Sequence, residues 1–382
     1  MYLKCALFTS TRADYGIMRH VALAMQSDSR FQLQVIVSGT HLLPEYGETK
    51  VEILNDRLPI GAEVSIELPE VTRASTVSCL ADCTKKYSSA LMEINPDLVL
   101  ILGDRWEAFG MSQAARILGI PTAHFHGGEL TCGSMDDYFR HCITISSRLH
   151  FVANEDYQRR VIQLGCHPEN VILCGAPSLE DILSAETQNI EQIKFETGLP
   201  KNAKFFLATV HPDTDSEGLE KKLLEELFLA LEAFPDHFVI FTYPNADFGR
   251  QWIIDRLKSK TKSENRFILV KSLGIVRFKT LLSCCDVFLG NSSSGIIEAP
   301  SLLTPSVNIG SRQEGRLSAK SVIHCKENAS EIGQSIKQAQ VLKMYSDSCV
   351  FENPYYVGNS SAIILTALAN HDFKAPVIFY DN

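Results

Sequence analysis

Residues 98–105 read Leu98-Val99-Leu100-Ile101-Leu102-Gly103-Asp104-Arg105, and this stretch decides the fold. Five consecutive aliphatic residues leave no polar side for water, as in a strand covered on both faces. Gly103 ends the run, and Asp104 and Arg105 lead into an amphipathic segment at 105–118. A buried strand that turns at once into a helix is the repeating piece of a parallel sheet.

The same rhythm extends outward in both directions. Apolar runs at 4–9, 32–38, 122–126, 149–153 and 171–174 alternate with amphipathic segments at 17–26, 77–94, 137–146 and 155–164. These are right-handed βαβ units. The rhythm breaks across 184–203, a polar stretch closed by Pro200-Lys201-Asn202. A second series then places strands at 204–210, 238–242, 266–270, 287–289 and 306–309. Its helices fall at 218–233, 248–260, 274–283, 295–301 and 329–344. The expected fold is α/β, with two doubly wound domains facing a cleft at the carboxyl ends of their strands. The first domain spans 1–185 and the second 186–355; within the remaining 356–382, a helix at 360–370 is expected to pack across the domain junction.

Composition narrows the function. A length of 382 residues suits two domains rather than one core. A formal net charge of −9 argues against nucleic-acid or anionic-membrane surfaces, although it leaves room for a local basic pocket. No apolar run approaches a membrane span, and the apolar start of the chain meets Arg12 and Asp14 too early for a secretory signal, so a cytoplasmic protein is expected. The 11 cysteines are scattered, with no CxxC pair, which suits reduced buried thiols and neither a disulfide framework nor a zinc site.

Ionisable and hydroxylated residues gather where strands end. Thr9-Ser10-Thr11-Arg12-Ala13-Asp14 offers either a phosphate contact at a helix start or a simple N-cap. Asp104 and Arg105 offer either a functional pair or a helix-start cap. The next strand end, His124-Phe125-His126-Gly127-Gly128-Glu129, is more pointed. Its glycines permit close approach of backbone and ligand, and His126 and Glu129 stand where packing favours apolar residues. His124 fits a satisfied core histidine. Asp137, Arg140 and His141 fall on one helical face, as a functional group or as a cap with a surface ion pair. In the second series, His211 and Asn245 follow strands, and Asn291-Ser292-Ser293-Ser294-Gly295 forms a hydroxyl-rich loop before a helix carrying Glu298. Such a loop cradles anions, and Arg312 and Arg316 after the next strand suit a diphosphate. A glycine-rich dinucleotide fingerprint is absent from the first turn, so a bound nicotinamide cofactor is not expected.

Taken in order, Thr11-Arg12-Ala13-Asp14-Tyr15-Gly16, Gly103-Asp104-Arg105, His126-Gly127-Gly128-Glu129, Arg140-His141, His211-Pro212, Gly290-Asn291-Ser292-Ser293-Ser294-Gly295 and Gly310-Ser311-Arg312-Gln313 resemble the bacterial hydrolysing UDP-N-acetylglucosamine 2-epimerases. The resemblance runs from about residue 4 to about residue 329. It implies the glycosyltransferase-B type of fold, with two Rossmann-like domains. It also implies cofactor-free conversion of UDP-N-acetylglucosamine and water to N-acetylmannosamine and UDP, for sialic-acid-type sugar synthesis. Relatives serving legionaminic acid look much the same and act on nucleotide-linked N,N'-diacetylbacillosamine. Other members carry glutamate where this chain has His126, so a catalytic glutamate is not transferred to that position.

The implied reaction eliminates UDP across C1 and C2 to give 2-acetamidoglucal, which then adds water. It needs cations for the departing diphosphate and a base at C2. The expected acid–base group is Asp104, His126, Glu129, Asp137 and Arg140. The expected nucleotide contacts are Arg12, Asp14, Arg105, His211, Asn245, Ser292, Ser293, Ser294, Glu298, Arg312 and Arg316, with no metal. The expected partner is a small nucleotide sugar, with neither nucleic acid nor membrane, for a homodimer or homotetramer. A glycosyltransferase would use the same fold but release a glycoside, and a non-catalytic sensor would bind the donor without turnover.

Overall fold

The computed structural model describes residues 2–68, 73–131, 135–212, 218–244, 249–271, 273–344, 348–375 and 378–381. The chain opens with β1 (Leu3–Thr9), α1 (Arg12–Gln26), β2 (Phe31–Ser38), α2 (Lys50–Asn55) and β3 (Ile60–Val64). Next come α3 (Arg73–Ile94), β4 (Leu98–Leu102), α4 (Trp106–Ile117), β5 (Thr122–Phe125) and α5 (Met135–Ser146). Then follow β6 (Leu149–Val152), α6 (Glu155–Gln163), β7 (Val171–Leu173) and α7 (Pro177–Ser184). The seven strands pair in parallel in the order β3-β2-β1-β4-β5-β6-β7. The order reverses between β1 and β4, where doubly wound sheets hold ligands.

β4 shows why its sequence reads as it does. Leu98, Leu100 and Leu102 join a core with Tyr15 and Met18 of α1, while Val99 and Ile101 join a second core with Tyr87 of α3 and Met111 of α4. Alternate residues of one strand therefore serve opposite faces, and both faces are dry.

The second sheet is built the same way. Its elements are α8 (Ile190–Thr197), β8 (Lys204–Thr209), α9 (Leu219–Leu231), β9 (His237–Thr242), α10 (Arg250–Ser263), β10 (Phe267–Val270) and α11 (Gly274–Cys284). β11 (Phe288–Gly290), α12 (Ser294–Ser301), β12 (Ser306–Ile309), β13 (Val322–Cys325), α13 (Ala329–Met344) and α14 (Ser360–Asn370) complete the chain. Strand order is β10-β9-β8-β11-β12-β13, all parallel, with the switch between β8 and β11.

Two compact units divide the chain. One comprises Met1–Glu129, Asp136–Asp181 and Tyr355–Asn382; the other comprises Leu130–Met135 and Ile182–Pro354. Ile364, Leu365 and Leu368 of α14 belong to the first unit's core beside α1. The polar stretch expected across 184–203 is not bare linker, because it contains α8, capped by Asn189 and ended by left-handed Gly198. The edge strands β3 and β13, absent from the sequence reading, extend the two sheets. Among the described residues, no helix is long and apolar enough to cross a membrane.

Candidate active site

The end of β4 and the face of α5 meet through one arginine. Nη1 of Arg140 donates to Asp137 Oδ1 at 2.7 Å, and Nη2 donates to Asp104 Oδ2. Arg140 is 2% exposed, whereas both carboxylate side chains are 24% exposed. The ion pair weighed as a surface feature is thus a buried cation behind two accessible carboxylates. A fork of this kind fixes the direction of both partners.

β5 ends in two histidines with different roles. The His124 Nε2–H donates to the Gly103 carbonyl at 2.8 Å, and Nδ1 lies 3.1 Å from the Thr144 hydroxyl. Burial lowers its pKa to about 4, so the ring is neutral and packed. His126 is different. Its backbone adopts φ 63°, and its Nδ1 lies 2.5 Å from Glu129 Oε1. Both residues are buried, and His126 Nε2 has no hydrogen-bond partner among the described residues. The turn is forced by what surrounds it. Gly128 has φ 77°, and a Cβ there would lie 2.4 Å from the Tyr157 carbonyl oxygen. Arg160 Nη1 donates to the Gly128 carbonyl at 2.8 Å, and His126 N–H donates to Phe151 at 3.0 Å. His126, Glu129 and His141 all act electrostatically on His124, whose ring holds Gly103 next to Asp104.

At β1, Thr11 and Asp14 form a capping box at the start of α1. Asp14 Oδ2 accepts from Ser10 Oγ at 2.9 Å and from the Ser10 and Thr11 amides at 3.2 and 3.0 Å, which commits that oxygen to the cap. Arg12 lies exposed in the first turn, where its charge works against the burial that raises the Glu52 carboxyl. Arg105 stands at the N-cap of α4 and donates from Nη2 to Glu107 Oε1 at 3.1 Å. Glu107 is wholly buried, and that burial raises its carboxyl pKa against the pull of Arg105.

In the second unit one asparagine ties three strand ends together. The Asn291 side chain accepts from the His211 amide at 2.7 Å and donates to the His211 carbonyl at 2.9 Å. Its own carbonyl accepts from Gln313 Nε2 at 2.9 Å and Arg312 Nη1 at 3.3 Å. The loops after β8, β11 and β12 are thereby locked around Ser292, Ser293 and Ser294 at the start of α12, on which Glu298 sits. Gly290 makes this possible at φ 126°, because a Cβ there would lie 2.0 Å from the Thr209 carbonyl oxygen. Arg316 turns elsewhere: Nε donates to the Leu130 carbonyl at 2.9 Å and Nη2 contacts Thr131 Oγ1 at 3.4 Å. Asn245 lies outside the described residues.

A family model described as UDP-N-acetylglucosamine 2-epimerase matches residues 23–369. The chain belongs to that family. The Polysialic acid biosynthesis protein P7 of Escherichia coli is 32% identical over 94% of this chain and 91% of its own length. GDP/UDP-N,N'-diacetylbacillosamine 2-epimerase (hydrolyzing) of Campylobacter jejuni is 32% identical, covering 85% of each. Among solved structures, UDP-GlcNAc 2-epimerase from Neisseria meningitidis bound to UDP-GlcNAc superposes with a TM-score of 0.83 at 21% identity, covering 97% of this chain and all of that one. The family architecture of two Rossmann-like domains, of the glycosyltransferase-B type, is the one the sequence led us to expect.

For this 2-epimerase family member, sequence reading overlooked several buried polar residues at the same strand ends. His41, after β2, bridges Thr9 Oγ1 at 2.9 Å and Thr49 Oγ1 at 2.8 Å, and burial lowers its pKa to about 4. Glu107 was signalled only by lying three residues after Asp104. Asn291 was read as part of the anion-cradling loop, but its ties to His211 and Gln313 were not.

Proposed function

We propose that the chain is a hydrolysing 2-epimerase that converts UDP-N-acetylglucosamine and water to N-acetylmannosamine and UDP. The observation that carries this reading is the buried Arg140 fork on Asp104 and Asp137, beside the His126–Glu129 pair. Family membership supports the reaction class. A base takes the C2 proton, the C2–H electrons form the C1=C2 bond, and the C1–O bond breaks toward the diphosphate. Water then adds at C1 while a proton reaches C2 from the other face of the ring, which inverts that centre.

Asp104, His126, Glu129, Asp137 and Arg140 are assigned to the group that moves protons and orients the sugar and its base. Arg12, Arg105, Arg312, Arg316 and the hydroxyls of Ser292, Ser293 and Ser294 are assigned to the phosphates, where positive charge and a helix start offset the charge that develops on UDP. His211, Asn245 and Glu298 are assigned to the nucleoside. Asp14 acts indirectly, by fixing the first turn. In this reading the enzyme is cytoplasmic, works as a homodimer or homotetramer, and needs no cofactor.

The activity of the Campylobacter relative favours a second substrate, nucleotide-linked N,N'-diacetylbacillosamine, for the same chemistry. Proton NMR in D2O with each donor tests both. Free N-acetylmannosamine carrying deuterium at C2 is expected from UDP-N-acetylglucosamine. Retention of the C2 proton, or a product still joined to UDP, would refute elimination.

A further inference from the structure

Resting on that reading, we infer that His126 and Glu129 divide a single step between them. His126 Nε2 removes the C2 proton, and Glu129 is a positioning residue that never touches the sugar. Three observations converge. Glu129 Oε1 lies 2.5 Å from His126 Nδ1, so the near side of the ring is engaged. The opposite nitrogen, Nε2, is buried and has no described partner. The residue is also held at φ 63°, a conformation that costs a non-glycine residue about 1 kcal/mol or more and persists only where the surroundings impose it.

A carboxylate on Nδ1 fixes the proton there and leaves the Nε2 lone pair free to act as a base. The same division of labour operates wherever a carboxylate orients a catalytic imidazole. His141 is the rival, since its Nδ1 is also buried without a described partner. No carboxylate among the described residues orients that ring, however, and burial, followed by Arg140 and Arg160, disfavours a proton on it. The carboxylates of Asp104 and Asp137 are already engaged by Arg140.

The electron balance is simple. Nε2 takes the C2 proton, the C–H pair becomes the C1=C2 bond, and UDP leaves with the C1–O pair. The imidazolium then returns its proton to solvent. Because C2 is inverted, its new proton arrives from the opposite face, so His126 serves only the first half-reaction.

The test uses the full chain, with deuterium exchange at C2, kcat and KM measured for His126→Gln, His126→Asn, Glu129→Gln and the double variant. Asparagine tolerates the left-handed backbone and so controls for folding. Loss of His126 should reduce UDP release from UDP-N-acetylglucosamine by ~100- to 10,000-fold, the range for a missing general base. Supplied 2-acetamidoglucal should still be hydrated at a rate near wild type. Glu129→Gln should lower kcat at least ~10-fold with KM little changed. Adding it to His126→Gln should cost nothing more, because Glu129 acts only through the ring. Additive losses in the double variant, equal loss of glycal hydration, or exchange persisting without His126 would each overturn the assignment. If the wild-type chain releases no UDP from either donor, the functional reading itself fails instead.

Discussion

Arg140 is the residue on which the candidate site turns, and its energetics are asymmetric. Its charge is held out of water by two carboxylates that water can still reach. Removing the cation takes away the charge that Asp104 and Asp137 share. We expect Arg140→Met to lower the unfolding free energy by about 2–3 kcal/mol, somewhat less than for a fully buried pair because both carboxylates are partly solvated. Arg140→Lys keeps the charge but loses the fork, and should recover stability more fully than activity. Urea melts read the first effect and turnover the second; a melt for Arg140→Met that matches wild type would show that the arginine is not holding the pair. The residue types at this site were legible in the sequence because they gather after strands of a doubly wound sheet, and the Asp137–Arg140 pair was legible from its i,i+3 spacing. The Asp104–Arg140 contact was not, since those two residues lie on separate elements that only tertiary packing brings together.

Elements differ in how plainly the sequence announces them. Central strands such as β4 are covered on both faces and read as unbroken apolar runs. The edge strands β3 and β13 carry exposed positions, Glu63 and His324 among them, and their runs are correspondingly weak. α8 has a clear asparagine cap and glycine stop, but it buries only Ile193 while Phe195 is 85% exposed, so its amphipathic signal is poor. The glycines after β5 were legible as points of close approach, whereas Gly290 was read only as part of the serine loop, and its constraint is the sharper one. Gly290→Ala would set a Cβ against the Thr209 carbonyl on the neighbouring strand, at a backbone angle that alanine avoids. A loss of about 3 kcal/mol or more is expected, with UDP binding lost along with it, because the serine loop starts at the next residues. Thermal melts and calorimetry with UDP would check this, and an alanine variant with wild-type melting would show that the β8–β11 contact can relax.

At the scale of the whole molecule, buried histidines set the response to acid. Burial lowers His41 and His124 to about 4 and His150 to about 3. Unfolded, each takes up a proton near pH 6.5, so their contribution to stability is intact above that pH and is lost as pH falls toward 4. Burial raises the carboxyls of Glu52, Glu107 and Asp181, which oppose this trend by holding protons more tightly in the folded state. A difference measurement separates the two. His150→Gln should flatten the fall in stability between pH 6.5 and pH 4 by about 1.4 kcal/mol per pH unit, and an unchanged slope would show that His150 takes up its proton equally in both states. The C-terminal helix has a consequence of another kind. The core of the first unit includes Ile364, Leu365 and Leu368, yet the whole second sheet is encoded between them and the strands they cover. During synthesis the second unit can therefore finish folding first, while the apolar face of α1 waits on the ribosome for its last cover. A nascent chain stalled before residue 360 should bind chaperones through that face and release them once α14 emerges.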